Sequence, residues 1–404
     1  MAKDTTSICI IAVNYFPEVT GCGPYTTDLA EKLVQAGHEV TVVTALPHYP
    51  QWSVPAEYQG MDHRTETING VQVLRCRLYV PAKMSALARI AYEATFLASA
   101  WLRSRRLKPD VVLAVSPALG DVVVGSSLAR RRKVPFGVLV QDLMTAATTQ
   151  SNISGGDKVA GLASAIESRY LGRADSVAAI TESFSDSILG LGVKTDRVVV
   201  SPNYSVKNIE KFPRHIARQL MGWDEKDFIL THTGNMGLKQ DLGNLIEAIK
   251  LVNLENVKLL LVGDGSQRSE LEAQAGSNPK IKFMGLVDEK DYSALLSASD
   301  VLLLNEAPTI TDMSLPSKLT SYEASGQRIL GAVVPGGNTA KVLDKLPNAS
   351  WVEAGNPALL AQAIQDLMSE RSTVEISKFD SAGTPDTEEL RTGRINWVLG
   401  LIKN

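Results

Sequence analysis

Short β-branched runs alternate with segments of helical period along the whole chain. In the first half Ser7–Val13, Val40–Thr44, Val71–Leu78, Val111–Val115, Phe136–Gln141, Val177–Thr181 and Val198–Ser201 predict strands. Tyr25–Gln35 and Lys158–Leu171 carry the helical period between them. The second half repeats the scheme, with strands expected at Ile229–Thr233, Lys258–Val262, Ile281–Met284, Val301–Asn305 and Arg328–Ala332. Its helices are expected at Leu242–Leu251, Gln267–Ala275, Asp288–Ala298, Pro316–Ser325 and Pro357–Ser369. Alternation of this kind predicts an α/β chain of two Rossmann-like, doubly wound units with parallel sheets covered on both faces. The linker is expected at Pro202–Pro213, where Ser201-Pro202-Asn203 ends the last strand of the first unit. A polar stretch, Ser377–Thr387, then precedes a final amphipathic helix, Glu388–Ile402. Such a pair of units takes its ligand in an interdomain crevice, outside the carboxyl ends of the strands.

Composition narrows this picture. A chain of 404 residues with 44% hydrophobic and 21% charged residues is globular and long enough for two cores. A net charge of −3 gives no global attraction to nucleic acid. Cys9, Cys22 and Cys76 are odd in number and lack C-x-x-C spacing, which points to a reducing compartment and away from a disulfide framework or structural zinc. The first apolar run, Ile8–Val13, follows Asp4 and is too short for a signal segment. No run reaches the roughly 18 apolar residues of a spanning helix. The expectation is a cytoplasmic protein, soluble or lying on a membrane without crossing it.

Candidate chemistry sits at strand-to-helix junctions. After the first strand, Gly21 and Gly23 precede a helix, where free amides and a positive dipole end can face an anion; the same glycines also fit a plain tight turn. Thr233-Gly234-Asn235-Met236-Gly237-Leu238-Lys239-Gln240 follows a buried strand, and its glycines and Lys239 suit a diphosphate. A solvated surface lysine is the alternative. Val262-Gly263-Asp264-Gly265 is either a second clamp or only a turn. Pro316-Ser317-Lys318 places a proline in a first helical turn, with Ser317 and Lys318 where a phosphate would dock. Gly336-Gly337-Asn338-Thr339 opens another helix, with Asn338 or Thr339 as cap. No D-x-D element is present to hold a metal–diphosphate. For acid–base or acceptor contacts the candidates are Asp142 at a strand end, Glu18, His48 and His63, whereas His38 reads as structural. Leu87, Ile90, Ala94, Leu97 and Trp101 form one stripe of the helix expected within Met84–Lys108. Arg103, Arg105 and Arg106 follow it, and Arg130-Arg131-Arg132-Lys133 adds a second basic cluster. This pattern fits an interfacial anchor for anionic headgroups and equally a core helix with solvated ends.

Taken together, several motifs resemble the family 4 glycosyltransferases, in particular the exopolysaccharide and colanic-acid branch. They are Asn14-Tyr15-Phe16-Pro17-Glu18 with Gly21-x-Gly23-Pro24-Tyr25, Gly37-His38-Glu39-Val40, Pro47-His48-Tyr49-Pro50, Gln141-Asp142-Leu143, Gly234-Asn235-Met236-Gly237, Lys239-Gln240, Val262-Gly263-Asp264-Gly265 and Pro316-Ser317-Lys318-Leu319. They run in order over nearly the whole chain. The resemblance implies a GT-B fold, with an acceptor-binding domain at residues 1–205, a nucleotide-sugar domain at 206–382, and residues 383–404 packing back toward the first domain. It also implies transfer with retention of configuration and without a metal or cofactor. The acceptor hydroxyl would attack on the face that the diphosphate leaves, and the leaving phosphate would take the proton. Gly21 and Gly23 would close over the diphosphate, and Asp142 would orient the acceptor. Asn235, Gly237, Lys239, Gly263, Ser317, Lys318, Asn338 and Thr339 would line the donor side, and Glu18 and His48 the acceptor side. The donor is expected to be a UDP-sugar ahead of a GDP-sugar, and the acceptor a glycan or lipid-linked glycan at the inner face of the plasma membrane. Leu238 and Asp241 stand where this branch usually has Arg and Gly, and Ser321 where the wider family has a ribose-binding glutamate. Glu323 lies two residues on, about 200° round the helix. Two competing expectations remain: a GT-B nucleotide-sugar epimerase, and a weakened member serving as a binding or assembly subunit.

Overall fold

The computed structural model describes residues 5–19, 21–61, 63–81, 85–143, 156–310, 315–371 and 387–403. The chain divides into two compact units, Met1–Val206 with Asp386–Asn404, and Lys207–Pro385.

The sheet of the first unit is built from β1 (Ser7–Ile11), β2 (Glu39–Ala45), β3 (His63–Ile68), β4 (Val71–Cys76), β5 (Val111–Ser116), β6 (Phe136–Val140), β7 (Ser176–Ala179) and β8 (Val198–Val200). Their order is β3-β4-β2-β1-β5-β6-β7-β8, and only β3 runs antiparallel, against β4. Central β1 pairs with β2 (Ser7 opposite Glu39) and with β5 (Ile8 opposite Val111), and Ile8, Cys9, Ile10 and Ile11 are all buried. A parallel strand covered on both faces needs such a continuous apolar run. The chain leaves β1 for one side of the sheet and later returns to its other side at β5, so the topological switch lies between these strands. The edge strand β3 escapes sequence reading because His63, Arg64, Thr65 and Thr67 are exposed and give no apolar alternation.

The helices of this unit are α1 (Gly23–Gln35), α2 (Ala86–Ser104), α3 (Leu119–Arg132), α4 (Gly156–Leu171) and α5 (Glu182–Gly190). Sequence pattern finds neither α3 nor α5. In α3 a Val122-Val123-Val124 run and Gly125 oppose helix propensity, yet Gly125 lets the helix lie on β6, since a Cβ there would come within 2.8 Å of the Phe136 ring. Thr181, read as the end of a strand, instead caps α5, its hydroxyl accepting from the Phe184 amide at 3.1 Å. The C-terminal helix, Thr387–Lys403, belongs to this unit. Its fully buried Arg394 donates to the carbonyls of Ser201 (2.7 Å) and Pro202 (2.8 Å), and Arg391 pairs with Asp28. Apart from Thr387, the polar stretch Ser377–Thr387 lies outside the described residues, as does Met84.

The second unit holds β9 (Phe228–Thr233), β10 (Val257–Val262), β11 (Ile281–Met284), β12 (Val301–Asn305), β13 (Arg328–Val333) and β14 (Ala349–Glu353), all parallel, in the order β11-β10-β9-β12-β13-β14. This is the doubly wound order with its switch between β9 and β12. Its helices are α6 (Arg214–Met221), α7 (Gly243–Leu251), α8 (Arg268–Ala275), α9 (Glu289–Ala298), α10 (Lys318–Ser325), α11 (Asn338–Leu343) and α12 (Pro357–Arg371). Arg214 and buried Arg218 of α6 meet Asp300 at 3.2 and 2.6 Å, and Asp300 also accepts from the Ile229 amide, so this carboxylate docks α6 at the start of β9. No described helix is long and apolar enough to cross a membrane.

Candidate functional site

At the switch point of the second unit the turn after β9 rests on the turn after β10, backbone against backbone. Gly234 donates to the Val262 carbonyl (2.8 Å) and Met236 to that of Asp264 (2.8 Å). Gly263 has φ +131°, and a Cβ there would fall 2.1 Å from the Gly234 oxygen. Close packing of two backbone segments therefore explains Gly263 without any ligand. The turn ends in a short 3₁₀ segment, Leu238–Gln240, where the Gln240 side chain accepts from the Gly237 amide at 3.2 Å. Asn235, Leu238 and Lys239 are exposed, and the Lys239 ammonium has no partner among the described residues.

Lys318 comes to the same turn from the other side of the switch. It is the first residue of α10, Ser317 occupies the N-cap position without a side-chain cap bond, and Pro316 lies one residue outside rather than in the first turn. The Lys318 ammonium lies over Gly234, 3.7 Å from where a Cβ would stand, and 2.7 Å from Nε2 of His232. Burial pushes Lys318 down to about 7, opposed only by Glu306. Glu306 follows β12, accepts from the Thr339 hydroxyl at 2.5 Å, and is raised by burial. Gly337, not Asn338 or Thr339, is the N-cap of α11, so the two residues expected as caps are its first helical positions. Ser321 is buried and turned toward Tyr292, whose hydroxyl meets Thr233 at 3.2 Å, while the Tyr322 hydroxyl accepts from the Thr233 amide at 2.9 Å. The Glu323 carboxyl has no polar partner among the described residues, and desolvation lifts it to about 7. His232 and Glu306 are absent from the sequence candidates. A lone histidine inside an apolar strand was the available signal for the first.

In the first unit, the loop after β1 wraps the start of α1, which opens at Gly23 rather than at Tyr25. Gly21 has φ +67° and lies against the Tyr49 ring; Gly23 lies against the Glu18 carbonyl. Glu18 and His48 are both buried, and hydrogen bonds occupy their polar atoms. Glu18 accepts from the amides of His48 (2.8 Å) and Tyr49 (2.9 Å) and from Asn14 Nδ2 (2.7 Å). His48 Nδ1 faces the Leu46 carbonyl at 2.9 Å and so must carry the proton, leaving Nε2 to accept from Tyr92 at 3.0 Å. The geometry gives this pair a loop-pinning task, not an open face for an acceptor. Asp142, half-buried after β6, accepts from the Leu143 amide with its carboxylate and from Ser116 with its carbonyl. Burial and the nearby Asp142, Asp121 and Glu18 push the Cys22 thiol up to about 12, which keeps it protonated. The carboxylate of fully buried Asp121 completes no hydrogen bond among the described residues; the Val13 amide only partly offsets its burial, so its pKa lies well above the carboxylate range. Of the other histidines, His38 Nδ1 accepts from the Thr6 amide at 3.4 Å and His63 is exposed on β3.

The stripe on α2 faces outward. Leu87 is 80% exposed, Ile90 48% and Trp101 37%, whereas Tyr92, Phe96 and Ala100 form the buried face. Leu97 departs from the stripe and packs against the core. Arg103 is also engaged, donating to Thr65 at 2.7 Å. The two basic clusters meet at Trp101, whose ring lies under Arg105 (5.9 Å) and Arg131 (5.3 Å).

Residues 20–204 match the family model described as a glycosyl transferase 4-like domain, and residues 227–370 match glycosyl transferases group 1. The chain is 34% identical over 334 residues to the Escherichia coli (strain K12) protein assigned as colanic acid biosynthesis glycosyl transferase WcaI, covering 79% of this chain and 81% of that one. The structure of WaaG, a glycosyltransferase involved in lipopolysaccharide biosynthesis, superposes with a TM-score of 0.69 at 17% identity, covering 97% of this chain and 100% of that one. That of Anabaena HepE in complex with UDP-glucose superposes with a TM-score of 0.63 at 16% identity, covering 98% and 97%. With two doubly wound units, these two family models and that relative in agreement, the chain is a glycosyltransferase and belongs to family 4, with the GT-B fold.

Proposed function

We propose that this enzyme moves a sugar from a nucleoside diphosphate sugar, a UDP-sugar ahead of a GDP-sugar, to a lipid-linked or membrane-associated glycan in cell-surface polysaccharide assembly, with retention of configuration. The observation that carries the reading is the Lys318 ammonium, held over the Gly234 turn at a topological switch and without a carboxylate ion pair among the described residues. A cation in that setting favours an anionic ligand, and a diphosphate can also use the exposed Lys239 and the amides of the turn. Similarity to HepE in complex with UDP-glucose and to the colanic acid protein supports the same donor and product classes. Asp142 would orient the acceptor, and Gly21 and Gly23 would close over the diphosphate. The outward stripe of α2 and the arginines around Trp101 would hold the enzyme at an anionic membrane face.

The test is a panel of nucleotide sugars, first by thermal shift and then by product analysis with membrane-derived acceptor in the presence of EDTA. A stabilising donor, chelator-resistant transfer and an unchanged anomeric configuration are expected. Stabilisation by no nucleotide sugar, or an inverted product, refutes the reading. Exposed Leu238 and inward-turned Ser321 favour one second reading, a weakened member that binds donor without turnover.

A further inference from the structure

His232 is fully buried at the penultimate position of β9, where only an apolar side chain would be expected. Its Nδ1 lies 3.1 Å from the Leu303 carbonyl of β12. A carbonyl can only accept, so Nδ1 carries the proton. Burial and the neighbouring Lys318 charge hold the ring far below its ordinary pKa, so it is neutral and Nε2 presents a lone pair. Lys318 Nζ donates into that lone pair at 2.7 Å. This is the single hydrogen bond of the ammonium among the described residues, which leaves two of its three donors free.

We propose that His232 is a positioning residue for the donor: it fixes the Lys318 ammonium above the Gly234 turn, so that an entering diphosphate completes the ammonium's bonding. The inference rests on the reading that Lys318 meets the donor. A carboxylate at the position of His232 would satisfy the ammonium and compete with the ligand. A neutral imidazole directs it without neutralising it. The charged groups facing Lys318 are few. Glu306, after β12, favours the ammonium at longer range, but its own carboxyl is raised by burial and is shared with Thr339 and the Val334 amide. Desolvation outweighs this and leaves Lys318 at about 7 in the free protein. A bound diphosphate favours the ammonium and raises that value. By linkage, donor affinity is then greatest below pH 7 and falls by up to about tenfold per pH unit above it, until the pKa of the bound state is reached.

The test is titration of the full chain with UDP-glucose and GDP-mannose from pH 6 to 9, a range in which the phosphates of neither sugar nucleotide change charge. Wild type should lose affinity steeply above neutrality, and Lys318→Arg should abolish the slope in whatever binding is left. His232→Phe removes the acceptor and should weaken binding at least tenfold while moving the pH midpoint down. His232→Gln, which can accept from the ammonium and donate to Leu303, should restore the midpoint; a side chain that merely filled the core would leave it unmoved. Nitrogen NMR of the free protein gives a readout that needs no ligand: the His232 ring, identified by its absence from the His232→Gln spectrum, should stay an Nδ1–H tautomer from pH 5 to 9. A donor that binds with no pH dependence, or a His232 that titrates, overturns the inference while leaving the donor site standing. If wild type binds neither sugar nucleotide, the donor reading itself fails, and this inference with it.

Discussion

Replacing Gly263 by alanine adds one carbon atom, and the structure says where it would go. The new Cβ would fall 2.1 Å from the Gly234 carbonyl oxygen and 3.2 Å from the Gly234 Cα. Reaching even a 3.0 Å contact needs a separation of about 0.9 Å between two backbone segments, because no flexible side chain is there to swing aside. The backbone angle adds to this, since φ is +131° and an L side chain is strained there by about 1–3 kcal/mol. With overpacking at about 1–3 kcal/mol, the expected loss is roughly 2–6 kcal/mol. For a domain the size of the second unit this lowers its melting temperature by roughly 4–24 °C. Two sites in the same unit separate the contributions. Gly336→Ala has φ +73° and nothing within 4 Å, so it reads backbone strain alone, whereas Gly285→Ala has open space and no such angle and should be near neutral. The assay is thermal unfolding of all three variants, followed by UDP-glucose titration, since a displaced Gly234 carbonyl also disturbs the turn under Lys318. A Gly263→Ala protein melting within about 2 °C of Gly285→Ala would refute the backbone-contact argument.

Glu323 supplies a pH-dependent prediction. Its carboxyl is raised to about 7 by desolvation, so the folded state favours the protonated form. That stability is fully present below the unfolded carboxylate value, about 4.3, and is lost as pH rises through about 7. Glu323→Gln should therefore leave the melting temperature nearly unchanged at pH 4 and raise it at pH 8; an equal shift at both values speaks against a half-buried, unpaired carboxyl. The α2 face supplies another. With Arg105, Arg106 and Arg131 changed to Glu, the protein should remain folded but no longer sediment with anionic vesicles, each basic residue contributing about 1 kcal/mol at low salt. Wild type that stays in solution at every ionic strength would remove the membrane from the proposal.

Much of the fold was legible because parallel strands buried on both faces must be written as continuous apolar runs. Ser7–Ile11, Val111–Ser116 and Val301–Asn305 announce themselves in that way. β3 and β14 do not, because an edge strand is defined by the neighbour it pairs with, and most of their residues are at least partly exposed. α3 was hidden for a different reason: its valines and Gly125 contradict local propensity, and contact with Phe136 decides the matter. The site shows the same division. Lys318, Lys239 and the glycine turns were visible as motifs, since the chain places them next to one another. Glu18 and His48 were visible too, but only the folded loop shows their polar atoms already occupied.

The sequence alone thus determined the two doubly wound units, the junctions where an anion could be met and an apolar stripe followed by arginines, because each is a matter of local period or neighbouring residues; that the stripe faces outward, Leu97 apart, came from the structure. Only the tertiary structure decided what each junction residue can do. His232 reaches Lys318 across 86 positions of chain, Thr339 reaches Glu306 across 33, and Arg394 holds the carbonyl of Ser201 across 193. Whether a half-buried lysine stands ready for a ligand, and whether a glycine serves a ligand or a neighbouring carbonyl, depend on distances of a few ångströms. Those are set by the order in which strands enter the sheet, and no local pattern of residues encodes them.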